Sequence, residues 1–478
     1  MLRSVLTVLC GWAWLAGPAL GCADLPSADA GALTLAQAQA RVADCHPDVR
    51  AARAALGGAV ADVQVAGQRP NPQLTVGAGS VGSALGSGSP WRKTFDHSLR
   101  IDQLIERGNK PALRQATAEA LRSAAAADLA DVTRRALSAV AHAHQDLWAA
   151  QGRRLQLAAA VGLSAESLRL LDLRVRAGDA PALDATRFTL DNARVRADLR
   201  QAEADVADGQ RQLALLIGVG GLGGAGGAGS VNGLPSAASV VGQLQALAAD
   251  LPAGAPDRPG APLPPSAERS ADGVERSADA KRSADGVERN ADAAERRADV
   301  AAALARLAAA ELARDLAAAA RTRDVSVGLQ VDHWPTSAGN GSGTGNTVSL
   351  SLTVPLFVRH ANDGELARAE ADLGAARESL RRVRDAASAD LAHAAAQASA
   401  AADRRQLVLA QLEPAAEKVA AGAELAYRRG ASTALDVLDA RRSLRAVRIE
   451  RITADADLAK ALADWQAAGL PLPAPPAR

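Results

Sequence analysis

Arg176-Ala177-Gly178-Asp179-Ala180-Pro181-Ala182-Leu183-Asp184 and Arg428-Arg429-Gly430-Ala431-Ser432-Thr433-Ala434-Leu435-Asp436 are two versions of one pattern, Arg-x-Gly-x-x-x-Ala-Leu-Asp. Gly178 and Gly430 stand 252 residues apart. A glycine after a long helical run ends the helix, and a short acidic segment then starts another. A second landmark precedes each turn: Asn109 lies 69 residues before Gly178, and Asn362 lies 68 before Gly430. Both intervals are Ala-rich, carry mixed charge and lack glycine-proline breaks. As one helix, either would run about 100 Å at 1.5 Å per residue. Helices of that length are coiled-coil helices, not the helices of a globular core.

The seam of such a coiled coil is legible. Leu366, Ala369, Leu373, Ala376, Leu380, Val383 and Ala387 follow 3-4 heptad spacing, and Val132, Ala136, Val140, Ala143 and Leu147 share a face in the first interval. Alternating large and small residues lets helices approach closely. Composition agrees: aromatics are only 2% of the chain, so few large rings are present to fill a wide core.

Working outward, each long helix is preceded by two strand candidates. Val325, Val327, Leu329 and Val331 alternate with small or polar residues, as do Val348, Leu350, Leu352 and Val354. In the first half Leu74, Val76 and Ala78, then Leu99 and Ile101, alternate in the same way across a Gly/Ser-rich loop at 79–90. The expected strands are 73–80, 97–105, 325–333 and 347–357; the expected long helices are 109–177 and 362–429. Strands of about nine residues with one apolar and one small or polar face suit a membrane β-barrel with a wet lumen, or two ordinary amphipathic hairpins. Trp91 and Trp334 flank them, at positions that would meet a bilayer interface. Four strands cannot close a barrel, and open edges are not tolerated in lipid. Three chains would supply twelve strands, and two chains would supply eight, the lesser option.

The remaining segments frame these halves. Residues 1–23 have a basic start, a short apolar run and small residues at the end, the pattern of a signal peptide. Ala19-Leu20-Gly21-Cys22 resembles a lipobox, which would leave Cys22 acylated. The first repeat is 24–217 and the second 298–468. Between them lie a Gly/Pro-rich linker at 218–268 and a tandem motif at 269–297, and a Pro-rich tail closes the chain at 469–478. Three cysteines without a CxxC exclude a disulfide scaffold and a cysteine zinc site, and Met1 as the only methionine excludes a methionine relay for soft metals. A net charge of +1 gives no whole-chain electrostatic case for nucleic acid. No P-loop, HExxH or Ser-His-Asp arrangement stands out, so the sequence indicates neither an enzyme nor a cofactor. His142 and His144 are two apart on a helix and cannot chelate one ion together.

Several short motifs occur in a telling order: Leu33-Thr34-Leu35-Ala36-Gln37-Ala38 with His46-Pro47-Asp48-Val49-Arg50-Ala51-Ala52, Asn71-Pro72-Gln73-Leu74, Val354-Pro355-Leu356-Phe357, and Tyr427-Arg428-Arg429-Gly430 with Leu435-Asp436-Val437-Leu438-Asp439-Ala440. With the repeat and the export signal, the chain resembles the TolC family of outer-membrane efflux channels over nearly all of its mature length. Asp102-Gln103-Leu104-Ile105-Glu106-Arg107-Gly108-Asn109-Lys110 resembles the strand exit of the CzcC-like heavy-metal branch, where a second Gly usually stands at the place of Asn109.

The resemblance implies a mainly α chain with membrane β. Its homotrimer would join a 12-stranded barrel, four strands per chain, to a long α-helical coiled-coil barrel across the periplasm. It implies docking to a periplasmic adaptor, the membrane fusion protein, and to an inner-membrane pump of the RND type. Small solutes, with divalent heavy-metal cations suggested by the branch, would be the cargo. By resemblance, Ala177-Gly178-Asp179 and Arg429-Gly430-Ala431 are the tip turns that meet the adaptor. Asp184, Asp436 and Asp439 follow these turns, and their residue types alone allow either helix capping or rings of carboxylates in a trimer. The resemblance places them, with Tyr427, at the periplasmic entrance gate. The rival readings are the outer duct of a type I protein secretion system and a non-channel periplasmic coiled-coil adaptor.

Overall fold

The computed structural model describes residues 34–79, 96–178, 181–218, 293–334 and 345–469. The signal segment with Cys22, Trp91, Asp179, nearly all of the linker and tandem motif, and the Pro-rich tail lie outside these residues. The chain runs α1 (Leu35–Cys45), α2 (Pro47–Gly67), β1 (Gln73–Gly79), β2 (Asp96–Ile105), α3 (Lys110–Arg176) and α4 (Ala182–Leu216). It continues through α5 (Ala298–Ala319), β3 (Val325–Trp334), β4 (Gly345–Thr353), α6 (Asp363–Leu407), a π-helical turn (Val408–Leu412), α7 (Glu413–Arg428) and α8 (Ala434–Ala467). Among the described residues no helix is long and apolar enough to cross a membrane. The chain forms two compact units.

One unit, Ala52–Asp131 with Arg289–Ala389, contains the strands. They make one antiparallel sheet in the order β1-β2-β3-β4. Register aligns the side chains in rows: Val76 pairs with Leu99, Leu99 with Val331 and Val331 with Val348, while Leu74, Ile101, Leu329 and Leu350 form the next row. Both rows lie exposed, with Val76 at 74% and Leu350 at 78%. The opposite face carries Thr75, Arg100, Gln330 and Ser349 in one row, and Arg100 Nε meets Asp102 Oδ2 at 2.7 Å. Gly328 sits within this polar face, where an added Cβ would come within 2.4 Å of Asp102 Oδ1. The alternation therefore sorts the sheet into an aliphatic and a polar face, as period-2 patterning requires.

Strand ends are set by chemistry that the periodicity alone does not show. The expected strand 347–357 stops at Thr353, because Pro355 has no N–H for the ladder. β2 turns into α3 through Gly108 and Asn109, at φ 73° and 61°. Asn362, before α6, repeats this at φ 59°, and its side-chain Nδ2 donates to Ala320 O at 3.0 Å. Asparagine tolerates the left-handed region better than other non-glycine residues. Lys110 Nζ and the Arg107 amide both reach Asp324 Oδ1, at 2.8 and 2.9 Å, and so tie the exit of β2 to the start of β3.

The other unit, Met1–Ala51 with Val132–Glu288 and Asp390–Arg478, is helical where described. Helix α1 opens with a capping box between Thr34 and Gln37. Ala136, Val140, Ala143 and Leu147 of the expected seam are buried. Small residues bring the helices close: a Cβ on Gly209 of α4 would touch Leu147 Cα at 3.4 Å, and one on Gly152 would touch Ile452 Cγ2 at 3.1 Å. The second long helix is not continuous as expected. Pro414 lacks an N–H and its ring conflicts with the carbonyl four residues back, and the π turn at Val408–Leu412 absorbs the misfit.

Gly108→Ala combines a left-handed φ with an added Cβ 2.8 Å from Thr322 Cβ. It should lower stability by at least about 1–2 kcal/mol. Asn109→Gly, which keeps the backbone angles accessible, should leave stability nearly unchanged. Thermal unfolding midpoints of the two purified variants test this ordering.

Candidate functional site: the two helical turns

At the second turn α7 ends in a Schellman motif. Ala431 N donates to Ala426 O at 2.8 Å and Gly430 N to Tyr427 O at 3.0 Å, with Gly430 at φ 75°. At the first turn Gly178, at φ 84°, donates to Val175 O at 3.0 Å, the equivalent inner bond. The two turns share one apolar cluster in which Leu171, Phe188, Ala434 and Leu438 are buried and Val175, Ala185 and Tyr427 pack around them.

The acidic candidates separate in role. Asp184 and Asp436 both occupy the third helical position after their caps, Pro181 and Thr433. Thr433 completes a capping box: its amide and its hydroxyl each donate to Asp436 Oδ2 at 2.8 Å, and the Asp436 amide donates back to Thr433 Oγ1 at 3.3 Å. The Thr433 amide, and next its hydroxyl, hold the Asp436 carboxyl below the usual carboxylate range. Pro181 has no hydroxyl to offer, so Asp184 turns to Arg187 at 3.5 Å. The Asp439 side chain is 62% exposed, with Arg442 Nη1 at 3.4 Å. Asp436 thus makes a cap within its own turn, while Asp439 presents its carboxylate to solvent.

Tyr427 has a partner that sequence reasoning missed. Arg174 Nη1 donates to Tyr427 Oη at 2.9 Å, and its guanidinium lies 5.3 Å from the ring centroid. This bond ties the end of α3 to the end of α7. The only available signal was a basic residue in the last turn of a helix, which ordinarily indicates nothing beyond the helix dipole. Ser432 donates to Ala423 O at 3.3 Å. Behind the turns Arg442 Nε meets buried Asp191 at 2.8 Å, and Arg441 bridges Glu424 at 2.9 Å and Ser167 Oγ at 2.6 Å. These arginines and Asp191 lie on ordinary amphipathic helices and carry no motif. Ala177, Gly178, Arg429, Gly430 and Ala431 all stand at the turns, and Asp179 lies outside the described residues.

A family model, Outer membrane efflux protein, matches residues 32–219 and 291–468. The chain belongs to that family, and it is an outer-membrane protein of the TolC-like channel class. The fold is shared with solved structures of low identity. A membrane protein from Pseudomonas aeruginosa is 19% identical, with 91% of this chain and 93% of that one covered at a TM-score of 0.67. The outer membrane protein VceC of Vibrio cholerae is 18% identical, with 91% and 96% covered at 0.66. The open state of the MtrE outer membrane channel of Neisseria gonorrhoeae is 17% identical, with 91% and 88% covered at 0.64. The comparison with curated proteins yields no match.

The lowered Asp436 pKa has a definite sign. Its contribution to stability is present above the ordinary carboxylate range and is lost as pH falls through the depressed value. Asp436→Asn should therefore lower the thermal midpoint at neutral pH, and the gap to the parent protein should close in acid. Paired melts across that range read the difference.

Proposed function

We propose that the chain is the passive exit duct of a tripartite efflux pump, assembled as a homotrimer. The observation that carries this reading is the four-stranded sheet, whose aliphatic face is exposed and whose outer strands, β1 and β4, each have one neighbour among the described residues. An apolar face of this kind suits lipid, and in lipid unpaired strand edges are too costly to persist. Three copies joined edge to edge give a closed, even-numbered barrel of the outer-membrane type. Helix α3, 67 residues or about 100 Å long, supplies a helical wall. Each half follows the order helix, strand, strand, long helix and return helix, which supports an internal duplication.

In this reading the tip turns dock a periplasmic adaptor, an inner-membrane pump of the RND type supplies the energy, and small solutes leave through the duct. Divalent metal cations are the proposed cargo because the β2 exit resembles the heavy-metal branch. The Arg174–Tyr427 bond and the acids beyond the turns form the entrance gate, with Asp184, Asp436 and Asp439 each becoming a ring of three. Asp439 dominates the cation preference, since the Asp436 carboxylate is already engaged by the Thr433 amide and hydroxyl in the cap.

Disulfides between cysteines placed at the tip turns of neighbouring copies should abolish efflux. Unchanged efflux with verified crosslinks would reject the gate. Asp439→Asn should reduce cation preference in single-channel recordings more than Asp436→Asn does. A clean deletion strain should become sensitive to zinc, cobalt, nickel or cadmium salts; sensitivity to dyes and antibiotics alone would keep the duct and reject the metal cargo.

A further inference from the structure

Between α3, α4, α7 and α8 lies a cavity of about 160 Å³. Ala159, Ala160, Leu163, Phe188, Leu438 and Leu444 supply its apolar wall. Two polar groups in it stand out. Ser164 is 9% exposed, and its hydroxyl has no hydrogen-bond partner. Arg445 is half-buried and makes no hydrogen bond or ion pair among the described residues. Its neighbours on the wall are already matched: Asp191 is held by Arg442 at 2.8 Å, Glu424 by Arg441 at 2.9 Å, and Arg448 by Glu417 at 3.3 Å.

Leaving a buried hydroxyl without a partner is unfavourable, and a bound acceptor would relieve that. A guanidinium without a counterion is the group best suited to take a carboxylate. An apolar cavity of this size accommodates a body about as large as benzene. Because the two wall carboxylates are neutralised, Arg445 leaves the cavity with one uncompensated positive charge, which suits a monoanion. We propose that the cavity binds a ring-sized organic monocarboxylate, its carboxylate on Arg445 and Ser164 and its ring against Phe188, Leu438 and Leu163. Phe188 and Leu438 also belong to the cluster under the two turns, so the occupant stiffens the helices that carry the Arg174–Tyr427 bond. That consequence rests on the entrance gate proposed above; the binding itself does not.

Titration calorimetry on the full chain purified in detergent tests the site, with benzoate as the probe and benzyl alcohol and inorganic phosphate as comparators. Benzoate should bind saturably, and both comparators should bind at least about tenfold more weakly. Arg445→Gln should weaken benzoate about tenfold and Ser164→Ala severalfold, whereas Arg445→Lys should retain part of the affinity. Circular dichroism and elution volume establish that each variant is folded. No saturable benzoate binding, benzyl alcohol or phosphate binding as tight as benzoate, or affinity unchanged in Arg445→Gln would each overturn the proposal.

Discussion

A sheet that exposes two adjoining rows of aliphatic side chains cannot be at rest in water. Leu74, Val76, Leu329, Val331, Val348 and Leu350 would each lose hydrophobic stabilisation there, and register gathers them on one face. Lipid removes that penalty and imposes another, since every backbone N–H and C=O within it needs a partner. The inner strands β2 and β3 are paired on both sides, while β1 and β4 each have one neighbour among the described residues. Outer-membrane residence and the demand for further strand pairing therefore stem from the same alternation of small polar and branched apolar residues.

The helical unit resolves a different problem with the same economy of side chains. With few rings available, burial is divided among many alanines and leucines, and close approach replaces bulk. Gly152 against Ile452 and Gly209 against Leu147 show how little room remains. Dispersion and hydrophobic terms per contact are small, so a helix such as α3 gathers stability only over its length. Pro414 interrupts the second long helix without ending it, because the π turn at Val408–Leu412 carries the chain from α6 into α7.

At the turns, backbone geometry and charge are matched. Glycine takes the left-handed position that finishes each helix, and an acid three residues into the next helix meets its positive end. The two turns differ in one chemical detail. Thr433 completes a capping box with Asp436, whereas Pro181 cannot do so and leaves Asp184 to Arg187. The second turn is accordingly the better capped of the two, and the Arg174–Tyr427 bond ties it to the first.

Much of this was legible without coordinates, since periodicity and backbone preference are local. The four strands, the seam through Val140 and Leu373, and the turns at Gly178 and Gly430 follow from patterns of two, of three and four, and of glycine after a helix. Asn109 and Asn362 were visible as landmarks, and their left-handed φ explains why asparagine stands there. Tertiary structure alone decided which charges meet. Arg174 finds Tyr427 across 253 positions and Arg442 finds Asp191 across 251, distances over which no local pattern carries information. It also decided that Asp436 is engaged in a cap and Asp439 is not, because that depends on which donors the folded turn aims at each carboxylate.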